Sequence, residues 1–377
     1  NTPVMLELRV RTCHLQGHFT ARDNLRPSFS VSDALNSPVR DVDRIVLPPA
    51  SFLHEAEKIE KRWPAAVRFI RDAHLNEFMG AQAGDVGIIV QGGLYNTLNR
   101  ALELSGLSDE FGNSKLPIYV LNVAYPLIPE EVQDFCLGKR AVLIVEEGQP
   151  EFIEHELNTL IRRAGGQTLV IGKAVLPRAG EYTGPVMRGG IEKFLKEFSP
   201  GTPLLPSREE PRADMQLAAQ VPQRPPGFCT GCPERPIFTA MKLVQRELGD
   251  FHVSSDIGCN LFSILPPFNI GNTTMGYGLS SAGASAFKAA PGGKRAIAVM
   301  GDGGFWHNGL ASGFGGAVFN QDDNVAIVVD NGYSAATGGQ DLLSSNAHNP
   351  FRSTGNPIAK ALHGVGVGWV KSLTRTY

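Results

Sequence analysis

Two stretches of this sequence decide its fold, residues 295–303 (RAIAVMGDG) and residues 325–333 (VAIVVDNGY). Each begins with a short apolar run, which is typical of a strand buried in a parallel sheet, and each ends in a polar turn that contains glycine. The stretch between them is rich in Gly and Ala and has the length of a helix, so the order strand, turn, helix, strand, turn is predicted. Both turns would then lie at the carboxyl ends of neighbouring parallel strands, where α/β proteins bind ligands.

The polar side chains of the two turns predict a metal and phosphate site. Asp302 follows the first strand, Asn331 follows the second, and adjacent glycines allow close approach to the backbone. A carboxylate and a carboxamide oxygen at this edge suit an Mg²⁺ ion that bridges to a phosphate. Asp and Asn are also common in turns that bind nothing, which is the alternative for each residue taken alone.

Together the turns resemble the thiamine diphosphate motif. Residues 330–340 (DNGYSAATGGQ) are similar to the thiamine-binding segment of the indolepyruvate ferredoxin oxidoreductase family, in its long fused form. The resemblance implies that Mg²⁺ is held by Asp302, the Asn331 side chain and the backbone carbonyl of Tyr333. Asp330 departs from the second Asn that many thiamine enzymes have here. The resemblance also implies cofactor contacts from other residues of both turns, namely Gly301, Gly303 and Thr337.

A further stretch, residues 273–283 (TTMGYGLSSAG), places Gly276, Tyr277 and Gly278 where a helix is predicted to open. Small residues at such a position expose backbone N–H groups to an anion, and the resemblance implies that the stretch lines the thiamine cleft. The alternative is a helix that packs closely through its glycines. A dinucleotide-binding fold is not indicated, because position 281 is Ser and no acidic residue follows at the required distance.

Three cysteines form the next candidate site. Cys229 and Cys232 make a CxxC motif, and a third cysteine ends the segment Asp256-Ile257-Gly258-Cys259 after a predicted strand. The resemblance implies that Cys229, Cys232 and Cys259 bind a [4Fe–4S] cluster whose fourth ligand lies outside this chain. It also implies that residues 256–259 approach the thiamine cleft. Zinc, with His252 as a fourth ligand, and plain buried cysteines are alternatives.

His307 is the candidate catalytic residue. It follows the GDGGFW stretch, near the start of the predicted crossover helix. A histidine beside the thiazolium ring would help proton transfer or hold a substrate carboxylate. A partly buried histidine at a helix start, without a catalytic role, is the alternative.

Composition excludes several other classes of function. The chain has 377 residues, 42% hydrophobic and 19% charged, with a net charge of −2, so neither nucleic acid nor a membrane surface is indicated as a partner. No apolar stretch has the length of a transmembrane helix, and no signal-peptide pattern starts the sequence. Five cysteines, an odd number, argue against a disulfide framework, and a cytoplasmic location is expected.

Strands that alternate with helices predict an α/β fold, and a shift to proline-rich composition predicts a linker over residues 199–226. The resemblance implies the nature of the parts: a thiamine-diphosphate-binding fold with a parallel sheet and helices on both faces, joined to a transketolase C-terminal-like α/β domain. It implies five segments, namely a tail of the pyrimidine-binding domain (1–20), a helical connector (21–84), the transketolase C-terminal-like domain (85–198), the proline-rich linker (199–226) and the thiamine pyrophosphate-binding domain (227–377).

Local patterns add predictions about the two ends and the connector. A strand is predicted over residues 4–12 and another over residues 368–377, and both ends are expected to be internal to a longer polypeptide. A helix is predicted from Ser51 to about Phe78, with a break or kink at Pro64.

The resemblance implies thiamine-dependent oxidative decarboxylation of a 2-oxoacid, of the aryl type such as indolepyruvate, with electrons passed through iron–sulfur clusters to ferredoxin. Coenzyme A is a candidate co-substrate, a homodimer is expected, and the remaining domains of the same polypeptide are expected partners. Because the pyrimidine domain normally supplies a catalytic glutamate, this chain alone is expected to bind the cofactor weakly and turn over poorly. The alternatives are a non-oxidative thiamine decarboxylase or carboligase and a non-catalytic structural module.

Overall fold

The structure, a computed structural model, describes residues 3–10, 12–14, 16–18, 20–21, 23, 30–206, 220–221, 225–287, 293–345 and 356–373. The chain divides into two compact units, Asn1–Arg212 and Ala213–Tyr377. Most of the predicted linker, residues 207–219 and 222–224, lies outside the described residues. Within the described part of the chain, none of the helices is long and apolar enough to cross a membrane.

The first unit contains a five-stranded sheet. Its strands are β1 (Glu77–Gly80), β2 (Val86–Gln91), β3 (Pro117–Leu121), β4 (Ala141–Val145) and β5 (Leu169–Ile171). They lie in the order β1-β3-β2-β4-β5, and all neighbours are parallel except the edge pair of β1 and β3. The central strands are continuous apolar runs because helices cover both faces of the sheet, so that side chains on both sides are buried.

Seven α-helices are described in this unit. They are α1 (Val31–Asn36), α2 (Ala50–Glu57), α3 (Trp63–Asp72), α4 (Tyr95–Leu104), α5 (Pro129–Cys136), α6 (Phe152–Arg163) and α7 (Gly184–Phe198). Short 3₁₀ turns lie at Thr12–His14, Val42–Arg44 and Gly92–Leu94. α4 and α7 pack on one face of the sheet, and α5 and α6 pack on the other.

The second unit contains a three-stranded parallel sheet. Its strands are β6 (Val253–Ser255), β7 (Ile297–Gly301) and β8 (Val325–Val329), in that order across the sheet. Gly301 pairs with Val329, so the last residues of β7 and β8 are level. The two motif turns therefore start side by side at the carboxyl edge, as the sequence predicts.

Four helices are described in the second unit: α8 (Glu234–Leu248), α9 (Ser280–Ser285), α10 and α11 (Ile358–Gly364). α10 is the crossover from β7 to β8; it starts at Asp302–Gly304, is π-helical over Phe305–Gly315 and ends as α-helix over Gly316–Phe319. Its glycines allow close packing, because a Cβ at position 313 would lie 3.1 Å from Ser281 Cβ in α9. Further 3₁₀ turns lie at Cys259–Ile264 and Ala335–Thr337.

The predicted strands at both ends and the predicted end of the connector helix are wrong. The described residues within 4–12 and 368–377 form no strand, because an extended segment becomes a strand only when a neighbour pairs with it. The predicted helix to Phe78 ends at Asp72, since residues Glu77–Gly80 instead pair with β3 and the Phe78 ring stacks on Tyr119 at 4.7 Å. At Pro64, where a break or kink is predicted, the chain stays helical: a π-helical turn at Lys58–Arg62 leads from α2 into α3, and Pro64 lies in the first turn of α3.

Candidate cofactor site

Asp302 joins the two motif turns. It is the first residue of α10, is 2% exposed and follows β7 directly. Its Oδ2 accepts hydrogen bonds from the backbone N–H groups of Gly332 (2.7 Å) and Asn331 (3.1 Å), and its Oδ1 accepts one from the N–H of Gly303 (2.8 Å). The Gly-Asp-Gly turn and the Asn-containing turn are thus held together by a single buried carboxylate.

The electrostatic surroundings of Asp302 fit a bound cation. Burial, and after it the hydrogen bond with Asp330, raise the pKa of the Asp302 carboxyl group to about 6. Among the described ion pairs, none involves Asp302. A divalent cation that prefers oxygen ligands would supply positive charge beside Asp302 and Asp330, and both Asp302 and the exposed Asn331 carry such oxygens.

The second turn is shaped by its own polar groups. Asn331 Oδ1 accepts a hydrogen bond from the N–H of Tyr333 (3.2 Å), and Gly332 adopts a φ of 81°. This φ value favours glycine, which explains why the Asn-Gly pair stands at this place. Tyr333 itself is 48% exposed.

A chain of hydroxyl groups runs beside the Gly-Asp-Gly turn. The Tyr277 hydroxyl lies 2.6 Å from Ser334 Oγ, which lies 2.6 Å from Thr337 Oγ1. Thr337 Oγ1 then donates to Gln340 Oε1 at 2.7 Å. A Cβ at Gly303 would overlap the Tyr277 hydroxyl and lie 2.6 Å from Ser334 Oγ, so this chain packs directly against the motif turn.

Asp256 packs against the residue that follows the Gly-Asp-Gly turn, since a Cβ at Gly304 would overlap its carboxylate. Its side chain is fully buried, and its two carboxylate oxygens both accept the Gly278 N–H, at 2.8 and 2.9 Å. The sequence predicts N–H groups here that face an anion; for Gly278 that anion is this carboxylate. Burial raises the pKa of Asp256 to about 6, while the hydrogen bond from Gly278 and the charge of His307 act in the opposite direction.

His307 lies in the π-helical part of α10. Its ring is exposed, and its centroid is 5.2 Å from the centroid of the Tyr277 ring. The candidate histidine, the hydroxyl chain and the buried Asp256 therefore surround one corner of the Gly-Asp-Gly turn.

The remaining predicted site residues lie near these groups. Ile257 is 44% exposed, and Gly258 has a φ of 132°, so a turn separates β6 from the 3₁₀ turn that begins at Cys259. Gly276 comes just before α9, and a Cβ there would lie 3.1 Å from Leu279 Cδ1.

The structure brings the three candidate cysteines into one region. Cys229 and Cys232 precede α8, and Cys232 and Cys259 pack against the same apolar cluster. Burial raises the pKa of the Cys259 thiol, and the charges of Glu234, Cys232 and Cys229 raise it as well. In the described part of the chain, no group of three or more His, Cys, Asp and Glu side chains converges closely enough to hold one metal ion.

His252 is not placed to complete a site with Cys259. It precedes β6, whereas Cys259 follows the end of that strand. Its ring stacks on Phe287 at 3.5 Å, and its Nε2 is 3.0 Å from Thr273 Oγ1.

Sequence reasoning missed Ser334, Glu234 and Asn260. Ser334 is 6% exposed and links Tyr277 to Thr337. Glu234 (7% exposed) and Asn260 (2% exposed) are buried polar residues that directly follow the CxxCP motif and Cys259. In the sequence, the only signal for Glu234 and Asn260 is that each stands next to a candidate cysteine ligand or its motif, because neither residue belongs to the CxxCP motif itself.

One family of known proteins matches the part of the chain that contains the motif turns. Residues 256–376 match the family described as thiamine pyrophosphate enzyme, C-terminal TPP binding domain. This match and the parallel α/β sheets confirm the predicted thiamine-enzyme fold class. Residues 256–376 contain both motif turns and Cys259.

Nearly the whole chain is similar to indolepyruvate oxidoreductase subunit IorA, which confirms the resemblance recognised from the sequence. It is 30% identical over 348 residues to IorA of Methanothermobacter thermautotrophicus, covering 90% of this chain and 52% of that protein. It is 31% identical over 364 residues to IorA of Archaeoglobus fulgidus, covering 94% of this chain and 52% of that protein. The chain thus spans about half the length of the curated relatives it matches.

Among solved structures, the chain is similar to a Mycobacterium smegmatis protein provisionally assigned as a thiamin diphosphate-dependent enzyme. The identity is 15% and the TM-score 0.24, with 80% of this chain and 58% of that chain covered. A likeness at this level carries no argument about the present chain.

Proposed function

We propose that the protein takes part in thiamine diphosphate-dependent oxidative decarboxylation of a 2-oxoacid, of the aryl type such as indolepyruvate. The observation that carries this proposal is the buried Asp302 carboxylate, which holds the two turns of the thiamine motif side by side. The similarity to IorA supports the type of substrate.

In this proposal Asp302, Asn331 and the backbone carbonyl of Tyr333 hold Mg²⁺, and the glycines around them let the diphosphate approach the backbone. Bound thiamine diphosphate supplies the nucleophilic carbon and the electron sink that decarboxylation of a 2-oxoacid requires. The chain's own residues bind and orient this cofactor through the Gly-Asp-Gly turn and the hydroxyl chain ending at Thr337.

His307 is proposed to move a proton or to hold the substrate carboxylate. Its ring is exposed, so it can meet a ligand, and it lies beside Tyr277 at the corner of the motif turn. A neutral imidazole accepts a proton, while a protonated one pairs with a carboxylate.

Cys229, Cys232 and Cys259 are proposed to bind a [4Fe–4S] cluster, with a fourth ligand from outside this chain. Burial, and after it the charges of Glu234, Cys232 and Cys229, raise the pKa of the Cys259 thiol, so the three cysteines interact with one another. The resemblance recognised in the sequence favours a cluster over zinc.

The wider assembly is also part of the proposal. Since the curated relatives are about twice as long, the rest of the polypeptide would supply the pyrimidine-binding domain and its catalytic glutamate. Ferredoxin would accept the electrons, coenzyme A is a candidate co-substrate, and a homodimer would complete the site. The five segment boundaries predicted from the sequence and a cytoplasmic location remain predictions.

The direct test is an anaerobic assay of the native full-length protein with indolepyruvate and a one-electron dye acceptor. Dye reduction that requires indolepyruvate, Mg²⁺ and thiamine diphosphate is expected. Release of CO₂ without dye reduction would instead indicate a non-oxidative decarboxylase. If neither CO₂ nor reduced dye is formed, a structural module is favoured.

A further inference from the structure

Asn260 connects the cysteine region to the cofactor turn. With its side-chain amide oriented so that each end meets a complementary partner, Asn260 Nδ2 donates to Glu234 Oε2 at 3.0 Å, and its Oδ1 accepts the Gly301 N–H at 3.0 Å. Glu234 follows the CxxCP motif, Asn260 follows Cys259, and Gly301 opens the Gly-Asp-Gly turn. One side chain therefore contacts two regions that are far apart in the sequence.

The position of the Gly301 N–H explains why a side chain is needed there. The Ile297 N–H donates to His252, so the alternate N–H groups of β7, including that of Gly301, point toward β6. β6 ends at Ser255, which is paired with Val299, and offers no strand partner to Gly301. Asn260 Oδ1 takes the place of that missing carbonyl and fixes the last residue of β7 before Asp302.

Burial makes this pair of contacts sensitive to change. Asn260 is 2% exposed and Glu234 is 7% exposed, so neither can exchange its partner for bulk water. A buried carboxylate beside a buried amide is stable only while a donor faces an acceptor at each contact.

We propose that Glu234 and Asn260 are positioning residues, which tie the cysteine turn to the Gly-Asp-Gly turn and hold the latter in the geometry that binds Mg²⁺ and diphosphate. The role rests on the proposed function, because it concerns the same cofactor site. Neither residue contacts the cofactor in this proposal; both act through the backbone of Gly301.

The test exchanges donor and acceptor between the two positions in the native full-length protein, purified anaerobically and studied at pH 8. Asn260→Asp keeps the shape and the acceptor for Gly301 but places a carboxylate against Glu234. Glu234→Gln keeps an acceptor for Asn260 and serves as the matched single variant. The double variant Asn260→Asp/Glu234→Gln restores the contact, because the carboxamide introduced at position 234 can donate to the carboxylate introduced at position 260.

Affinity for thiamine diphosphate with Mg²⁺ is measured by calorimetry, with thermal unfolding as the check on folding. Asn260→Asp is expected to weaken binding by about ten-fold or more, Glu234→Gln by less, and the double variant is expected to recover most of the loss. A general packing role would not predict recovery in the double variant. This inference is overturned, and the proposed function is left standing, if Asn260→Asp binds thiamine diphosphate as tightly as the wild type. The same holds if the double variant binds it as weakly as Asn260→Asp.

Hydrogen exchange of the Gly301 amide, measured without cofactor, separates this inference from the proposed function. Faster exchange in Asn260→Asp and recovery in the double variant are expected whether or not the wild type binds thiamine diphosphate. If the wild type does not bind thiamine diphosphate, the proposed function fails. If the Gly301 amide exchanges at the same rate in the wild type and all variants, the positioning role of Glu234 and Asn260 is overturned as well.

Discussion

The Asp302 carboxylate accepts a 2.7 Å hydrogen bond from the backbone N–H of Gly332, which links the turn after β7 to the turn after β8. The contact is possible because Gly301 and Val329 end their strands at the same level. A single buried acid thus sets the distance between the two halves of the cofactor motif.

Gly303→Ala should abolish or strongly weaken cofactor binding. Its Cβ would overlap the Tyr277 hydroxyl and lie 2.6 Å from Ser334 Oγ, so the hydroxyl chain would have to move. Gly316→Ala is the matched control, because a Cβ there meets nothing within 4 Å and should stabilise α10 by about 0.5–1 kcal/mol. Calorimetric titration with thiamine diphosphate and Mg²⁺ compares the two variants. Equal affinities would show that the hydroxyl chain does not shape the site.

His307→Gln should lower the turnover number by about 100-fold and change the affinity for thiamine diphosphate little. A histidine that transfers a proton contributes to the rate of the chemical step, whereas Gln can replace only its hydrogen bonds. His363→Gln, at another exposed histidine of the same unit, is the control. Steady-state dye reduction with a 2-oxoacid, measured from about pH 5 to 9, gives both the rate and the pH profile. Full activity in His307→Gln would remove this residue from the mechanism.

Asp256→Asn should make the stability of the second unit less dependent on pH. Burial raises the pKa of Asp256 to about 6 from an ordinary value of 3.8, so between these values the folded protein keeps a proton that the unfolded chain has lost. Unfolding then releases a proton, and the free energy of unfolding falls as pH rises through this window.

The carboxamide that this substitution introduces does not ionise, so the variant should gain about 1–3 kcal/mol relative to wild type between about pH 4 and pH 7. Hydrogen exchange of the β7 amides in urea reports the local free energy of unfolding. A constant difference between the two proteins across this range would exclude a buried ionisation at this residue.

Anaerobic metal analysis should find about four irons bound per chain in the native full-length protein at this site. Cys232→Ser or Cys259→Ser should lose this iron, whereas Cys136→Ser, at the buried cysteine of α5, should keep it. Zinc in place of iron, or no metal loss in either variant, would contradict the assignment of the three cysteines.

The strands of the cofactor motif could be predicted because their physical signal is local. The apolar run that opens each of the two stretches forms a strand, β7 at Ile297–Gly301 and β8 at Val325–Val329. A buried parallel strand needs a continuous apolar run, and the turn after it needs polar residues and glycine, so both features appear in one short stretch. The thiamine fold followed from these stretches together with the family resemblance.

The polar network of the site could not be predicted because its partners are distant in sequence. Asp256 with Gly278, Tyr277 with Ser334 and Asn260 with Gly301 meet only after the sheet has formed. No periodic pattern marks such pairs. The edge strand β1 was missed for the same reason, since its pairing with β3 outweighs the helical pattern that precedes it.

The most direct test of this account is binding of thiamine diphosphate with Mg²⁺ to the wild-type full-length protein and to Asp302→Ala. Asp323→Ala, at an exposed aspartate of the same unit that pairs with Arg295, is the matched control. We expect Mg²⁺-dependent binding in the wild type and in Asp323→Ala, and a loss of at least about 100-fold in Asp302→Ala. Binding that is equally strong in Asp302→Ala, or that needs no Mg²⁺, would contradict the assignment of Asp302 as the residue that holds the cofactor site together.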